Sequence, residues 1–282
     1  MSELRFTYNT NGLANHRTED ALTLLADCGY DGAALPLDHH LDPFSQDLPC
    51  RLDALRRCLD DLGLAVVIET STQLLLDPRR KHESTLLSDR RRDLRIEFLR
   101  RAIDIAAALD AEAMSFWSGV KPLYLALRAP WRRLIDGCAV VLEAAEERGV
   151  ALGFETGPGH LVDRLDRYNR LVAALGNRDR LGLTLDVGHC LWVEDEPILV
   201  CIFEGSEQLV NVHIEDMRRS VHEHLDFGEG ENNFSLVLES FSKVGYWSLV
   251  SVELSRHSHT AHIAVPRAME FLRKAARKEA SV

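Results

Sequence analysis

Apolar positions along this chain follow two spacings that take turns. Short greasy runs with two-residue alternation predict strands at Leu4–Tyr8, Gly32–Leu37, Ala65–Glu69, Ala113–Trp117, Ala151–Glu155, Gly182–Asp186, Leu209–Ile214 and Leu249–Leu254. Helical spacing fills the gaps between them. Ala21-Leu22-Leu24-Leu25, Leu52-Leu55-Leu59-Leu62, Phe98-Ile103-Ala106-Leu109, Val140-Val141-Ala144-Ala145 and Leu236-Val237-Phe241 are examples. Glycines at 29, 63, 149, 176 and 245 stand where a helix must stop before the next strand. Strand then helix, repeated about eight times, predicts a (β/α)8 barrel. A doubly wound open sheet is the alternative, and even spacing favours closure. No linker or low-complexity segment interrupts the pattern, so residues 1–282 are expected to form one domain.

Within the later strands the two faces differ. Leu152 and Phe154, Leu183 and Leu185, Val210, Val212 and Ile214, and Val250, Val252 and Leu254 make the large apolar faces. The opposite faces carry small or polar residues and end in Glu155, Asp186, His213 and Glu253. In a barrel the apolar face packs outward on helices, so these four side chains point inward at the C-terminal rim. Two long connections, Thr70–Arg92 and Glu215–Asn233, leave the same rim and are expected to act as lids or substrate contacts.

The bulk properties narrow the partners. A length of 282 residues with 46% hydrophobic content supports a sizeable core. A net charge of -11 argues against a general polyanion-binding surface, so no nucleic-acid partner is expected. The six cysteines (28, 50, 58, 138, 190 and 201) form no C-x-x-C pair and read as reduced thiols. The start, Met-Ser-Glu-Leu-Arg, has no apolar signal core, and no run approaches a membrane span. A cytoplasmic protein with no membrane association is expected. The arginines at 90, 91, 92, 95, 100 and 101, interleaved with Asp89, Asp93 and Glu97, read as the solvated face of the third helix.

Glu155, Asp186, His213 and Glu253 are a donor set for one divalent cation: oxygen ligands plus one imidazole suit Mn²⁺, Mg²⁺, Co²⁺ or Zn²⁺. His189, three residues after Asp186, is either a further ligand or a substrate contact. His222 and His224 lie two apart and would share one side of an extended segment, as substrate contacts, a second metal site or loop surface. Trp117 ends the fourth strand as a wall for a sugar ring or as rim packing. Glu69 ends the third, binding a substrate hydroxyl or pairing with a lid arginine. Arg256 is a candidate for binding a phosphate or hydroxyl. No Walker or dinucleotide-binding glycine pattern is present, and Gly157-Pro-Gly159 is too short to cradle phosphate.

Glu155 after its strand, Leu-Asp-Val-Gly-His189, Val-His213-Ile-Glu-Asp216, Phe-Gly-Glu-Gly230 and Val-Glu253 together resemble the xylose-isomerase-like TIM-barrel superfamily, in its sugar phosphate isomerase/epimerase branch. The resemblance covers nearly the whole chain. It implies one divalent metal, commonly Mn²⁺, held by Glu155, Asp186, His213 and Glu253, with His189 contacting substrate. In the ketose 3-epimerase members the two glutamates also form the acid/base pair. Glu215 departs from the pattern, since many members carry lysine there. Dimers are common among members, which leaves a homodimer open.

The expected activity is a sugar, sugar phosphate or cyclitol isomerase or epimerase. A metal polarises adjacent carbonyl and hydroxyl oxygens, Glu155 or Glu253 removes the proton between them, and an enediolate is stabilised. The opposite glutamate then returns a proton. A metal-dependent lyase or dehydratase acting on a cyclitol or oxidised sugar is the alternative. An apurinic-endonuclease-like nuclease needs more histidines at early strand ends, where Asp38-His39-His40 holds the only nearby imidazoles. A non-catalytic barrel that binds a metabolite is the remaining reading.

Overall fold

The computed structural model describes residues 4–38, 40–120, 128–219 and 221–277; His39 of the Asp38-His39-His40 run lies outside them. The barrel strands are β1 (Arg5–Asn9), β2 (Gly32–Pro36), β3 (Ala65–Glu69), β4 (Ala113–Trp117), β5 (Leu152–Glu155), β6 (Leu181–Asp186), β7 (Leu209–Ile214) and β10 (Leu249–Val252). They pair in parallel and close in the order β1-β10-β7-β6-β5-β4-β3-β2. The helices are α1 (Thr18–Asp27), α2 (Leu48–Leu62), α3 (Arg92–Leu109), α4 (Arg128–Arg148), α5 (Leu165–Ala174), α6 (Val187–Val193), α7 (Ile198–Gly205), α8 (Phe234–Lys243) and α9 (Ala261–Arg277). The five expected stop glycines all take positive φ, between +65° at Gly63 and +80° at Gly176. Among the described residues no helix is long and apolar enough to cross a membrane.

Alternation builds two apolar layers. Phe116, Phe154, Leu183, Leu185, Val212 and Val252 are fully buried in the main core between sheet and helices. Each such side chain contributes about 1.5–3 kcal/mol by leaving water. A smaller cluster of Ala34, Val67, Ala113 and Leu249, joined by Val210, is built from the strands' other faces. Val210 was expected to point outward with Val212. The β6–β7 register instead slips by one: Leu183 pairs with Leu209, but Thr184 pairs with Asn211. Val210 is the extra residue of a bulge, and a methyl added at Gly182 would meet its Cγ1 at 2.4 Å. The slip sets Asp186 level with His213, and His213 in turn is level with Ser251 of β10.

Two further departures lie around the rim. The connection after β7 contains an antiparallel hairpin of β8 (Asp216–Arg218) and β9 (Val221–Leu225). A three-residue strand is too short to announce itself by alternation. The arginines around the start of α3 are not all solvated. Arg95 is only 2% exposed, and its guanidinium donates to the Thr70 carbonyl at 3.1 Å. Arg92 donates to the carbonyls of Leu86 and Arg133. These side chains tie down the 70–91 connection, which has no regular structure of its own.

Candidate functional site

Four strand ends converge on one point. Asp186, at the end of β6, accepts the His189 backbone N–H on Oδ1 at 2.7 Å and so caps α6. Its Oδ2 is buried and, among the described residues, accepts no hydrogen bond, with His189 Nδ1 3.3 Å away. On the neighbouring strand, Nδ1 of His213 is also buried and forms no hydrogen bond among the described residues. It lies 3.3 Å from Glu253 Oε2 and 3.8 Å from Glu155 Oε1. Ligand atoms of Asp186, His213 and Glu253 lie within 4.8 Å of one another, and so do those of Glu155, Asp186 and His189. Polar atoms stripped of water and left without partners are costly. Here they face one another, as donors around a common cation would. Carboxylate oxygens with one imidazole fit a divalent ion.

The surrounding side chains orient this set. His213 Nε2 lies 2.8 Å from Glu69 Oε1, close enough that its N–H donates to the carboxylate. That leaves Nδ1 as the atom that could ligate a metal, the arrangement by which a carboxylate behind a histidine fixes its tautomer. Asn211 donates to the same Glu69 oxygen at 3.1 Å. Burial opposes a charge on His213, yet Glu69 and Glu155 together raise its pKa well above the ordinary value. A cation at Nδ1 would therefore displace a proton. Burial likewise works against the Asp186 carboxylate, but His189 and His213 hold its pKa down. Burial pushes the pKa of Glu69 up.

Glu69 thus serves neither of the two roles expected of it. Among the described residues it is buried behind His213, outside the cavity lining, and pairs with no arginine. Glu215 is buried and forms no hydrogen bond through its carboxyl group among the described residues, and burial, with Asp186 beside it, raises its pKa well above normal. Arg256 faces away: it is exposed and paired with Glu223 at 3.3 Å, outside the cavity lining. Asn11, just after β1, was not anticipated. Its Nδ2 donates to Glu253 Oε1 at 2.9 Å and leaves Oε2 turned toward His213. The partners are 242 positions apart, so no local spacing reveals them.

A cavity of about 610 Å³ opens over Glu155, His213 and Glu253. His189, His222 and His224 line it, as does Trp117. His189 Nδ1 is 3.2 Å from the Thr156 carbonyl and its Nε2 is 3.1 Å from His222 Nε2. His222 and His224 project from β9 with ring centroids 5.3 Å apart. Trp117 is 6% exposed and does not offer a bare face. His160 stacks on it at 4.6 Å, and His82 meets it edge-on at 5.7 Å. Neither histidine stood out in the sequence.

A closed eight-stranded parallel barrel with carboxylates and an imidazole gathered at its C-terminal rim defines a class, and comparison with known proteins gives the family. Residues 22–275 match the xylose isomerase-like TIM barrel family, and the chain belongs to it. The rhizopine catabolism protein MocC of Rhizobium meliloti is 29% identical over 148 residues, 46% of this chain and 43% of that protein. The alignments with curated relatives span 59% or less of those proteins' length. Among solved structures, an L-ribulose 3-epimerase superposes with a TM-score of 0.75 at 20% identity, covering 99% of both chains. A family 2 AP endonuclease from Brucella melitensis gives 0.74 at 20% identity, covering 90% of this chain and 93% of that one. At such identities the likeness is one of fold.

Proposed function

We propose that this chain is a divalent-metal-dependent epimerase or isomerase of a sugar, sugar phosphate or cyclitol. The observation that carries the reading is a pair of buried atoms, Asp186 Oδ2 and His213 Nδ1, that form no hydrogen bond among the described residues and lie with two glutamates within reach of a common cation. A bound ion, with Mn²⁺ the first choice, would supply Lewis-acid polarisation of a carbonyl and its neighbouring hydroxyl. Glu155, Asp186, His213 and Glu253 would hold it.

The rest of the chemistry belongs to side chains. Glu155 and Glu253 stand at strands β5 and β10, with β6 and β7 between them in the ring. They therefore approach a substrate from different sides. One accepts the proton next to the carbonyl and the other returns a proton, which inverts the carbon or moves the carbonyl. Asn11 keeps one oxygen of Glu253 occupied and so aims the other. The cavity, lined by imidazoles as well as carboxylates, suits a polyhydroxy ligand. The name of the L-ribulose 3-epimerase neighbour agrees with that class of substrate.

The test is incubation of Mn²⁺-loaded protein in deuterated water with ketoses, their phosphates and inososes. Solvent deuterium at a single carbon is expected. Glu155→Gln and Glu253→Gln should each lower exchange by a factor of about 10²–10⁴ while the fold persists. Near wild-type exchange in either variant would remove that residue from the reaction. The same panel separates a dehydratase, which would release water and change the product's mass.

A further inference from the structure

We propose, resting on the reading above, that His160 is a substrate-contacting residue whose Nε2–H donates a hydrogen bond to a hydroxyl oxygen of a polyol-like ligand. The turn Gly157-Pro158-Gly159 follows directly on Glu155 and delivers His160 to the cavity wall. Its backbone is fixed. The His160 N–H donates to the Gly157 carbonyl at 3.1 Å, a bridge pairs it with Val120, and Leu161 N–H donates to the Gly119 carbonyl at 3.0 Å. Its ring is fixed too, lying nearly parallel to Trp117, with 18° between the planes. Trp117 is braced in turn by the buried Arg95 guanidinium, 5.8 Å from the indole.

The two ring nitrogens meet different surroundings. Nδ1 is buried and has no hydrogen-bond partner among the described residues. A methyl added at Gly157 would sit 2.9 Å from both Cε1 and Nδ1, so that edge of the ring abuts the turn. A sealed N–H without an acceptor is costlier than a sealed lone pair, which puts the proton on Nε2. Among the described residues nothing hydrogen-bonds Nε2, while the half-buried ring lines the same cavity as Glu155, His189 and Glu253. Burial, reinforced by His189, His222 and His82, lowers the pKa to about 3, so the ring stays neutral at ordinary pH. A rigid, neutral donor in a wall otherwise set for a cation reads an uncharged oxygen. The ligand class it fits is a sugar or cyclitol that places a free hydroxyl beyond the reacting carbons.

Two substitutions separate this role from packing on Trp117. His160→Phe keeps a stacking ring and loses the donor. His160→Gln loses the ring and keeps an N–H near the Nε2 position. With D-sorbitol as an unreactive probe on Mg²⁺-loaded protein, His160→Phe should weaken binding about tenfold, and KM for whichever ketose exchanges should rise by a similar factor. His160→Gln should restore most of both. In the wild type, the ¹⁵N signal of His160 Nε2 should shift as D-sorbitol saturates the site. Phenylalanine behaving as wild type while glutamine fails would make the ring mere packing and overturn the proposal. An unmoved ¹⁵N signal would overturn it as well, with no variant needed. If wild-type protein exchanges deuterium normally in those cases, the epimerase reading stands without His160. If it neither exchanges with any sugar nor binds D-sorbitol, both fall together.

Discussion

Glu69 lies behind His213 and holds its Nε2 proton, so Nδ1 is turned toward Asp186 and Glu253 by a residue outside the cavity lining. Glu69→Gln should lower metal affinity about 10–100-fold, with the fold intact, in a titration followed by calorimetry. Unchanged affinity would mean that Asn211 alone orients the ring. The metal-type residues themselves were legible because each ends a strand whose other inward positions are small or polar. Gly153, Thr184 and Ser251 precede Glu155, Asp186 and Glu253 in that way. Glu69 was visible only as a strand end. Its partner lies 144 positions away, and a one-dimensional pattern carries no record of a contact across the barrel.

The hairpin β8–β9 depends on one carboxylate. Asp216 is fully buried and accepts four backbone N–H groups: Met217 and Asn232 on Oδ1, Gly228 and Gly230 on Oδ2. The Phe-Gly-Glu-Gly segment is thereby wrapped around the start of the hairpin that carries His222 and His224. Asp216→Ala would strand several buried donors and should cost about 3 kcal/mol in urea unfolding, with the greatest loss of amide protection at residues 226–232. Gly230 belongs to the same wrap, since a methyl there would meet Asp216 Oδ1 at 2.3 Å. The sequence displayed the segment as a motif and withheld its reason. It also hid the bulge at Val210, because only cross-strand pairing reveals which residue is supernumerary. Helices and their glycine stops, by contrast, were plain: local periodicity and a left-handed stop need no distant partner.

At the scale of the whole barrel, the site concentrates negative charge that a bound cation would offset. Adding Mn²⁺ at about 100 times its dissociation constant should stabilise the protein by about 2.7 kcal/mol, seen as a rise in Tm that chelation reverses. No rise would argue against a resident metal. Acid should weaken the fold through His160 in particular. Its pKa is about 3 in the folded chain against an ordinary value of about 6.5 when unfolded. The unfolded state therefore takes up more protons between those values. The stabilising contribution is complete above about pH 6.5 and declines as pH falls toward 3. His160→Phe should flatten that part of the profile in denaturation midpoints measured from pH 7 to pH 5. Closure of the ring has one more result. β1 pairs with β10, and Asn11 steadies Glu253, 242 positions later in the sequence. A nascent chain whose β10 is still inside the ribosome therefore has neither a closed ring nor the Asn11–Glu253 pair, and the rim is completed only after that strand emerges.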